Sequence, residues 1–215
     1  MEKRYSAVIF DLDGTLINSL PYHFLAFKDL LLEHGIRVDD KLLGKLIGMP
    51  TADILKHLKK KYKFNENIAD LREERRYHYF KFLGNRNIVF SGVVETLKKL
   101  RLDYKLAVAT GSSKVIFSHS TSKDFQELFD FVVTINDVKK GKPYPEQFNF
   151  VAKKFRIPSK RFLVVGDSVY DAMAAKKAGM DFIGVSSEYN STKELKKEGA
   201  IKVIKKISEL KKELL

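Results

Sequence analysis

Short runs of β-branched and aromatic residues recur through the second half of the chain, at 105–109, 131–135, 162–165 and 182–185, and each predicts a buried strand. Between them, residues 93–102, 145–155 and 171–178 carry apolar side chains at helical spacing, the last stretch closed by Gly179. Strand and helix alternating at this interval predict right-handed crossovers and a parallel sheet covered on both faces, a doubly wound α/β fold. In such a sheet functional groups collect at the carboxyl ends of the strands.

The first strand, predicted at 5–10, is followed by a long stretch with helical rather than strand spacing before the next α/β unit begins at Gly92. Residues 22–34 form an amphipathic pattern stopped by Gly35, Pro50 and Thr51 open a second helix running to about 62, and a third spans 67–82 and ends at Gly84. The expectation is a small helical bundle, residues 17–88, inserted into a core made of residues 1–16 and 89–215, with linkers at 16–21 and 85–91. The Lys-rich tail from 193 onward reads as helical, with Ser191 and Glu194 spaced as a capping box.

Composition narrows the chemistry. With 215 residues, 44% of them hydrophobic and including 16 Phe and 9 Tyr, the chain has ample material for a packed core and is not disordered. It contains no cysteine, which excludes disulfides, thiolate metal sites and a thiol nucleophile, so any metal is held by oxygen or imidazole. No apolar run is long enough for a bilayer span and the first residues do not form a signal-peptide core, so a cytoplasmic protein without membrane association is expected. The sequon Asn190-Ser191-Thr192 has no consequence in such a compartment.

The formal charge of +13 raises the question of nucleic acid. The excess is spread over mixed segments: residues 53–86 hold ten Lys/Arg with five Asp/Glu, and 193–215 hold eight with four. Such interleaving is the pattern of solvated helix faces, and no zinc-ligand set or RNA-binding strand motif accompanies it. A nucleic-acid partner is therefore not expected, although a basic binding protein with an idle site stands as the alternative from another class.

Four segments stand at the predicted carboxyl ends of four strands: Asp11-Leu12-Asp13-Gly14-Thr15, Thr110-Gly111-Ser112, Gly141-Lys142-Pro143, and Gly166-Asp167-Ser168 with Asp171 following. Alone, each has an ordinary reading as a turn, a surface loop or a helix cap. Together they describe a phosphate and a hard cation. Asp11, Asp13 and Asp167 make an oxygen-rich set suited to Mg²⁺. The Thr110 hydroxyl, the backbone N–H groups of Gly111 and Ser112 at a helix start, and the Lys142 ammonium are donors for phosphate oxygens.

These motifs, in this order and spacing, resemble motifs I to IV of the haloacid dehalogenase superfamily, and the helical insert resembles the C1 cap of its phosphoglycolate phosphatase and β-phosphoglucomutase group. The resemblance implies a Rossmann-like core and an aspartyl-phosphate mechanism in which Asp11 is the nucleophile and Asp13 the general acid and then base. It implies Mg²⁺ held by the Asp11 carboxylate, the Asp13 carbonyl and Asp167, with Asp171 behind them orienting waters or Lys142. Thr110, Gly111, Ser112 and Lys142 would hold the transferring phosphoryl group. Asp13 is diagnostic, because dehalogenases lack this aspartate and P-type ATPases carry threonine there.

The resemblance thus implies a phosphatase acting on a small phosphorylated metabolite, with a β-phosphoglucomutase-like phosphosugar mutase as the alternative. His23 is similar in position to a histidine of the mutase, whereas Thr51 stands where the mutase carries an arginine for the second phosphate. His23, Thr51, Lys56 and Arg76 are the candidates for substrate selection. A monomer is the default expectation.

Overall fold

The computed structural model of the chain describes residues 3–187 and 189–214; the first two residues of the predicted core and its last, Leu215, lie outside the described residues. A parallel six-stranded sheet runs β1 (Ala7–Phe10), β2 (Lys105–Ala109), β3 (Phe131–Val133), β4 (Phe162–Gly166), β5 (Asp181–Val185) and β6 (Lys202–Ile204), in the spatial order β3-β2-β1-β4-β5-β6. The order reverses at β1, which pairs with β2 on one side and β4 on the other. Loops leaving β1, β2 and β4 therefore meet at one crevice.

Alternation within the strands explains why they read as continuous apolar runs. Val8, Phe10, Leu106, Val108, Leu163 and Val165 face one layer of the core. Ala7, Ile9, Ala107, Ala109, Phe162 and Val164 face the other. Both faces are covered, so neither parity of the pleat can be polar.

Between β1 and β2 lie α1 (Leu20–Glu33), α2 (Asp40–Leu46), α3 (Thr51–Tyr62), α4 (Ile68–Leu83) and then α5 (Val93–Leu100). The first four gather around an apolar cluster of their own that includes Phe27, Leu30, Leu31, Leu43, Leu55 and Leu58. The two chain passages joining this bundle to the sheet run side by side: Asn18 N–H donates to the Ile88 carbonyl at 2.7 Å, and Phe90 N–H to that of Leu16 at 3.1 Å. Helices α6 (Lys114–Ser120), α7 (Lys123–Gln126), α8 (Glu146–Phe155), α9 (Val169–Ala178), α10 (Thr192–Lys197) and α11 (Lys211–Leu214) complete the fold. Among the described residues no helix is long and apolar enough to cross a membrane.

Three expectations need correction. The tail is not continuously helical: after α10 the chain turns at Gly199 and adds the edge strand β6 beside β5. The strand predicted at 131–135 stops at Val133, because Thr134 caps a 3₁₀ turn over Ile135–Asp137 with its side chain and that of Asp137. Lys142 consequently stands in a long loop well past the end of β3. Helix α2, opened by the Asp39 side chain on Leu42 N–H, was not predicted.

Leu163 is fully buried in the central layer, whereas Leu102 is 84% exposed. Replacing Leu163 with alanine is expected to cost about 2 to 5 kcal/mol in equilibrium urea unfolding. Leu102→Ala should stay within about 0.5 kcal/mol of the parent in the same measurement.

Candidate active site

Where β1 ends, Asp11 N–H still bonds the Val165 carbonyl at 2.8 Å, so the backbone of Asp11 is fixed by the sheet itself. The chain then closes a turn in which Gly14 N–H reaches the Ile17 carbonyl and Leu16 N–H that of Leu12. Gly14 has a φ of 81°, and a Cβ there would lie 2.7 Å from Asp167 Oδ2 and 2.5 Å from Leu20 Cδ1. Only glycine allows this turn to sit against the end of β4.

Lys142 is the electrostatic centre. Its side chain, 3% exposed, donates from Nζ to Asp11 Oδ1 at 2.5 Å, Asp171 Oδ1 at 2.6 Å and the Ala109 carbonyl at 3.2 Å. The Lys142–Pro143 peptide bond is cis. Asp171 is completely buried and also accepts from the Ser168 hydroxyl at 2.5 Å and backbone N–H at 3.2 Å, so one residue caps α9 and binds the lysine. Gly166 makes room for it, since a Cβ at that position would lie 2.6 Å from Asp171 Cγ.

Asp11, Asp167 and Asp171 offer carboxylate oxygens within 4.8 Å of one another, all buried. Burial pushes the Asp11 carboxyl well above the usual range, against the pull of Lys142, and Asp171 and Asp167 add repulsion. Burial and then Asp171 push Asp167 up to about 7, while Thr15 Oγ1 donates to its Oδ1 at 3.1 Å. Burial works against the Lys142 charge, but Asp11 and Asp171 outweigh it and hold the ammonium above its ordinary value. Three carboxylates around a single ammonium leave excess negative charge in a desolvated place. That donor set fits a hard divalent cation.

The Asp13 carboxylate does not join this cluster; the resemblance assigns the backbone carbonyl of that residue, not its carboxylate, to the cation. Its Oδ1 accepts from Ser19 Oγ at 2.6 Å and His23 Nε2 at 3.0 Å, and its Oδ2 from Thr110 Oγ1 at 3.0 Å and Ser112 Oγ at 2.8 Å. Burial alone would raise the Asp13 carboxyl; contact with His23 and the Ser19 and Ser112 hydroxyls hold it below the usual carboxylate range. Thr110 and Ser112 sit beside the aspartates, with their hydroxyls on Asp13. Ser112 N–H donates to Thr110 Oγ1 at 2.9 Å, and the helix begins two residues later at Lys114, capped by Ser113. Gly111 lies at the same place, with no atom within 4 Å of a would-be Cβ.

Arg75, which the sequence reading missed, continues the network. Its guanidinium, 2% exposed, donates to His23 Nδ1 and, at 2.9 Å, to Thr51 Oγ1, and it lies 4.8 Å over the Phe27 ring. Because Nδ1 accepts from arginine, Nε2 carries the imidazole proton and donates to Asp13. Burial and then Arg75 lower the pKa of His23, in keeping with a neutral ring, which also stacks on Tyr79 at 4.3 Å. The available signal was periodicity: Leu71, Arg75, Tyr79 and Leu83 share one face of α4, and that face is buried. A second group, His78 with Asp29 at 2.9 Å and Glu33 at 3.2 Å, ties α4 to α1.

Asp11, Asp13, His23, Arg75, Ser112 and Lys142 line a cavity of about 50 Å³. It adjoins a larger one of about 610 Å³ through shared Thr51, Arg75 and Gly111. Of the side chains singled out for substrate selection, Lys56 and Arg76 face the larger cavity, His23 the smaller, and Thr51 both.

A family model described as haloacid dehalogenase-like hydrolase matches residues 8–185. The chain is similar to a phosphorylated carbohydrates phosphatase of Thermotoga maritima, 28% identical over 203 residues, spanning 93% of this chain and 94% of that protein. It is similar to a fructose-1-phosphate phosphatase of Escherichia coli, 29% identical over 191 residues, 86% of this chain and 98% of that one. Among solved structures, a β-phosphoglucomutase of Clostridium difficile superposes with a TM-score of 0.82 at 27% identity, covering 97% of this chain and 94% of the other.

Removing the ammonium should expose how much charge it balances. Lys142→Ala is expected to destabilise the fold by about 3 to 5 kcal/mol in denaturant titration at neutral pH, because buried carboxylates lose their partner. The double variant Lys142→Ala/Asp171→Ala should recover part of that loss; a single variant as stable as the parent would contradict the assignment.

Proposed function

The chain belongs to the haloacid dehalogenase-like hydrolase family, and on that premise we propose that it is a Mg²⁺-dependent phosphatase that cleaves a small phosphomonoester through an aspartyl-phosphate on Asp11. The observation that carries this reading is the placement of Asp11: a carboxylate fixed at the reversal point of the sheet, held by a buried ammonium, with Asp13 two residues on and hydroxyl donors alongside. The similarity to phosphatases of phosphorylated carbohydrates and of fructose 1-phosphate supports a sugar phosphate or similarly small ester.

In this reading the Asp11 carboxylate attacks phosphorus and the alcohol leaves as Asp13 gives its oxygen a proton. Water then attacks the phosphoryl group on Asp11 while Asp13 takes its proton back. The Thr110 and Ser112 hydroxyls can rotate from Asp13 Oδ2 to the phosphoryl oxygens, which frees Oδ2 to carry that proton. Ser19 and His23 keep Oδ1 in place during the exchange. Lys142 supplies fixed positive charge where charge develops. Mg²⁺, held by Asp11, Asp167 and the Asp13 carbonyl, would screen the repulsion between carboxylate and phosphate. Asp171 holds Lys142 in line.

Residues 17–88 would serve as a cap over a core of residues 1–16 and 89–215, with the paired linker passages as hinges. Two close approaches fit that role. A Cβ on Gly141 would lie 2.9 Å from Pro50 Cγ, and one on Gly48 would lie 3.2 Å from Ser168 Cβ, so small residues let bundle and core meet over the site. One observation favours the mutase as second reading: Thr51 lacks the guanidinium expected there, but Arg75 places one against it.

Asp11→Asn is expected to reduce phosphate release from p-nitrophenyl phosphate by at least about 10³-fold, and EDTA should silence the wild-type enzyme until Mg²⁺ is restored. Near wild-type release by Asp11→Asn, or in EDTA, would sink the reading. Monitoring sugar phosphates for isomer interconversion as well as phosphate release separates hydrolysis from phosphoryl transfer within the substrate.

A further inference from the structure

The Thr110 carbonyl lacks the partner that the sheet would give it. In the parallel pairing of β2 with β3, Thr110 N–H donates to the Val133 carbonyl at 3.0 Å, and the ladder's next bond would run from Ile135 N–H to the Thr110 carbonyl. The 3₁₀ turn over Ile135–Asp137 diverts the chain first, and Ile135 N–H bonds the Ser112 carbonyl at 3.3 Å instead. A buried carbonyl left unpaired is costly, and a side chain from another element fills the gap. Gln147, in the first turn of α8, donates from Nε2 to the Thr110 carbonyl at 2.7 Å. Gln147 is completely buried, and its Oε1 has no hydrogen-bond partner among the described residues. A carbonyl only accepts, so the amide turns its nitrogen to Thr110, and that one bond is the whole polar role of the side chain.

What this bond fixes follows from the peptide unit. The C=O of Thr110 and the N–H of Gly111 lie in one plane and point in opposite directions. Gln147 grips the carbonyl from the side of α8, so the Gly111 N–H is turned away from α8, and Gly111 borders the cavity that Asp11 and Asp13 line. Little else restrains this peptide. No atom lies within 4 Å of a would-be Gly111 Cβ, and glycine accepts the change of φ that a reversal of the peptide requires. The preceding carbonyl, that of Ala109, is held by Lys142 Nζ at 3.2 Å. Two side chains from one short stretch, Lys142 and Gln147, thus take successive carbonyls at the end of β2, and Gln147 takes the one whose direction aims the Gly111 N–H.

We propose that Gln147 is a positioning residue for phosphoryl transfer: by holding the Thr110 carbonyl back, it keeps the Gly111 N–H aimed at the transferring phosphoryl group. Gln147 itself lines neither the catalytic cavity nor the larger one beside it, so it acts through Thr110 and Gly111. This assignment rests on the phosphatase reading and adds to it a residue outside the four segments at the strand ends. A leucine or methionine would fill the same buried place without an unpaired oxygen, so the glutamine contributes direction to the loop rather than packing.

Gln147→Met removes the donor at nearly equal length, and Gln147→Leu does so with a branched side chain. With p-nitrophenyl phosphate and Mg²⁺, both are expected to lower kcat about 10- to 100-fold with KM within about twofold of the parent, because a donor aimed at the phosphoryl group acts mainly in the transition state. Orthovanadate, a mimic of the five-coordinate phosphoryl group, should inhibit the variants more weakly by a similar factor. In ¹H–¹⁵N spectra the Gly111 amide proton should move downfield when orthovanadate and Mg²⁺ are added to the parent, and should move less in the variants. A packing role predicts a different split: a lower urea midpoint, with kcat, vanadate inhibition and the Gly111 shift unchanged in the folded protein. That result overturns the positioning role and leaves the phosphatase reading intact, and failure of both variants to fold would likewise make Gln147 structural. Absence of phosphate release from every ester by wild-type protein instead overturns the phosphatase reading, and the positioning role falls with it.

Discussion

One ammonium ties together the strand ends that make this site. Lys142 Nζ touches the carboxylate that follows β1, a carbonyl at the end of β2 and the carboxylate in the first turn of α9, all in a place almost closed to water. Desolvating an ion costs several kcal/mol, and only close, well-directed partners offset that cost. The loop from Val138 to Pro145 is therefore positioned by charge as much as by packing, and Asp11 is presented in one orientation. The same balance leaves the carboxylate group with more negative charge than one lysine neutralises, which is the condition for taking up a hard cation.

The sheet supplies the frame within which this works. Strand order reversing at β1 brings the ends of β1, β2 and β4 to one crevice, and glycines at 14 and 166 let side chains from neighbouring segments pack without a gap. Around Asp13 a second, separate network forms: hydroxyls from the core on Oδ2, and Ser19 and His23 from the first bundle helix and its cap on Oδ1. The two aspartates are only two residues apart in sequence yet belong to different electrostatic settings, one beside the excess carboxylates and one saturated with donors. Different settings suit different proposed roles, attack at phosphorus for one and proton transfer for the other.

Much of this was legible in the chain. Buried strands announced themselves as apolar runs, and four short motifs at or near their ends named nearly every polar group now seen together. What escaped did so for physical reasons. Strand β6 lies at a sheet edge with Lys202 exposed and only Ile204 fully buried, so it carries too little hydrophobic signal to stand out in a Lys-rich tail. Arg75 was hidden among charged neighbours on α4 because burial of an arginine depends on partners from other elements, His23 and Thr51, which no local pattern reveals. The separation of Asp13 from the carboxylate cluster depends on side-chain direction, and spacing alone does not fix that.

The phosphatase reading stands on Asp11 carrying the phosphoryl group. Acid quench during turnover of a sugar phosphate with Mg²⁺, borohydride reduction and peptide sequencing by mass spectrometry would convert phosphoaspartate to homoserine at the modified position. Homoserine is expected at position 11 and nowhere else in the chain, dependent on both substrate and Mg²⁺. Unmodified Asp11 in a preparation that is releasing phosphate in a burst, or label on another residue, would contradict it.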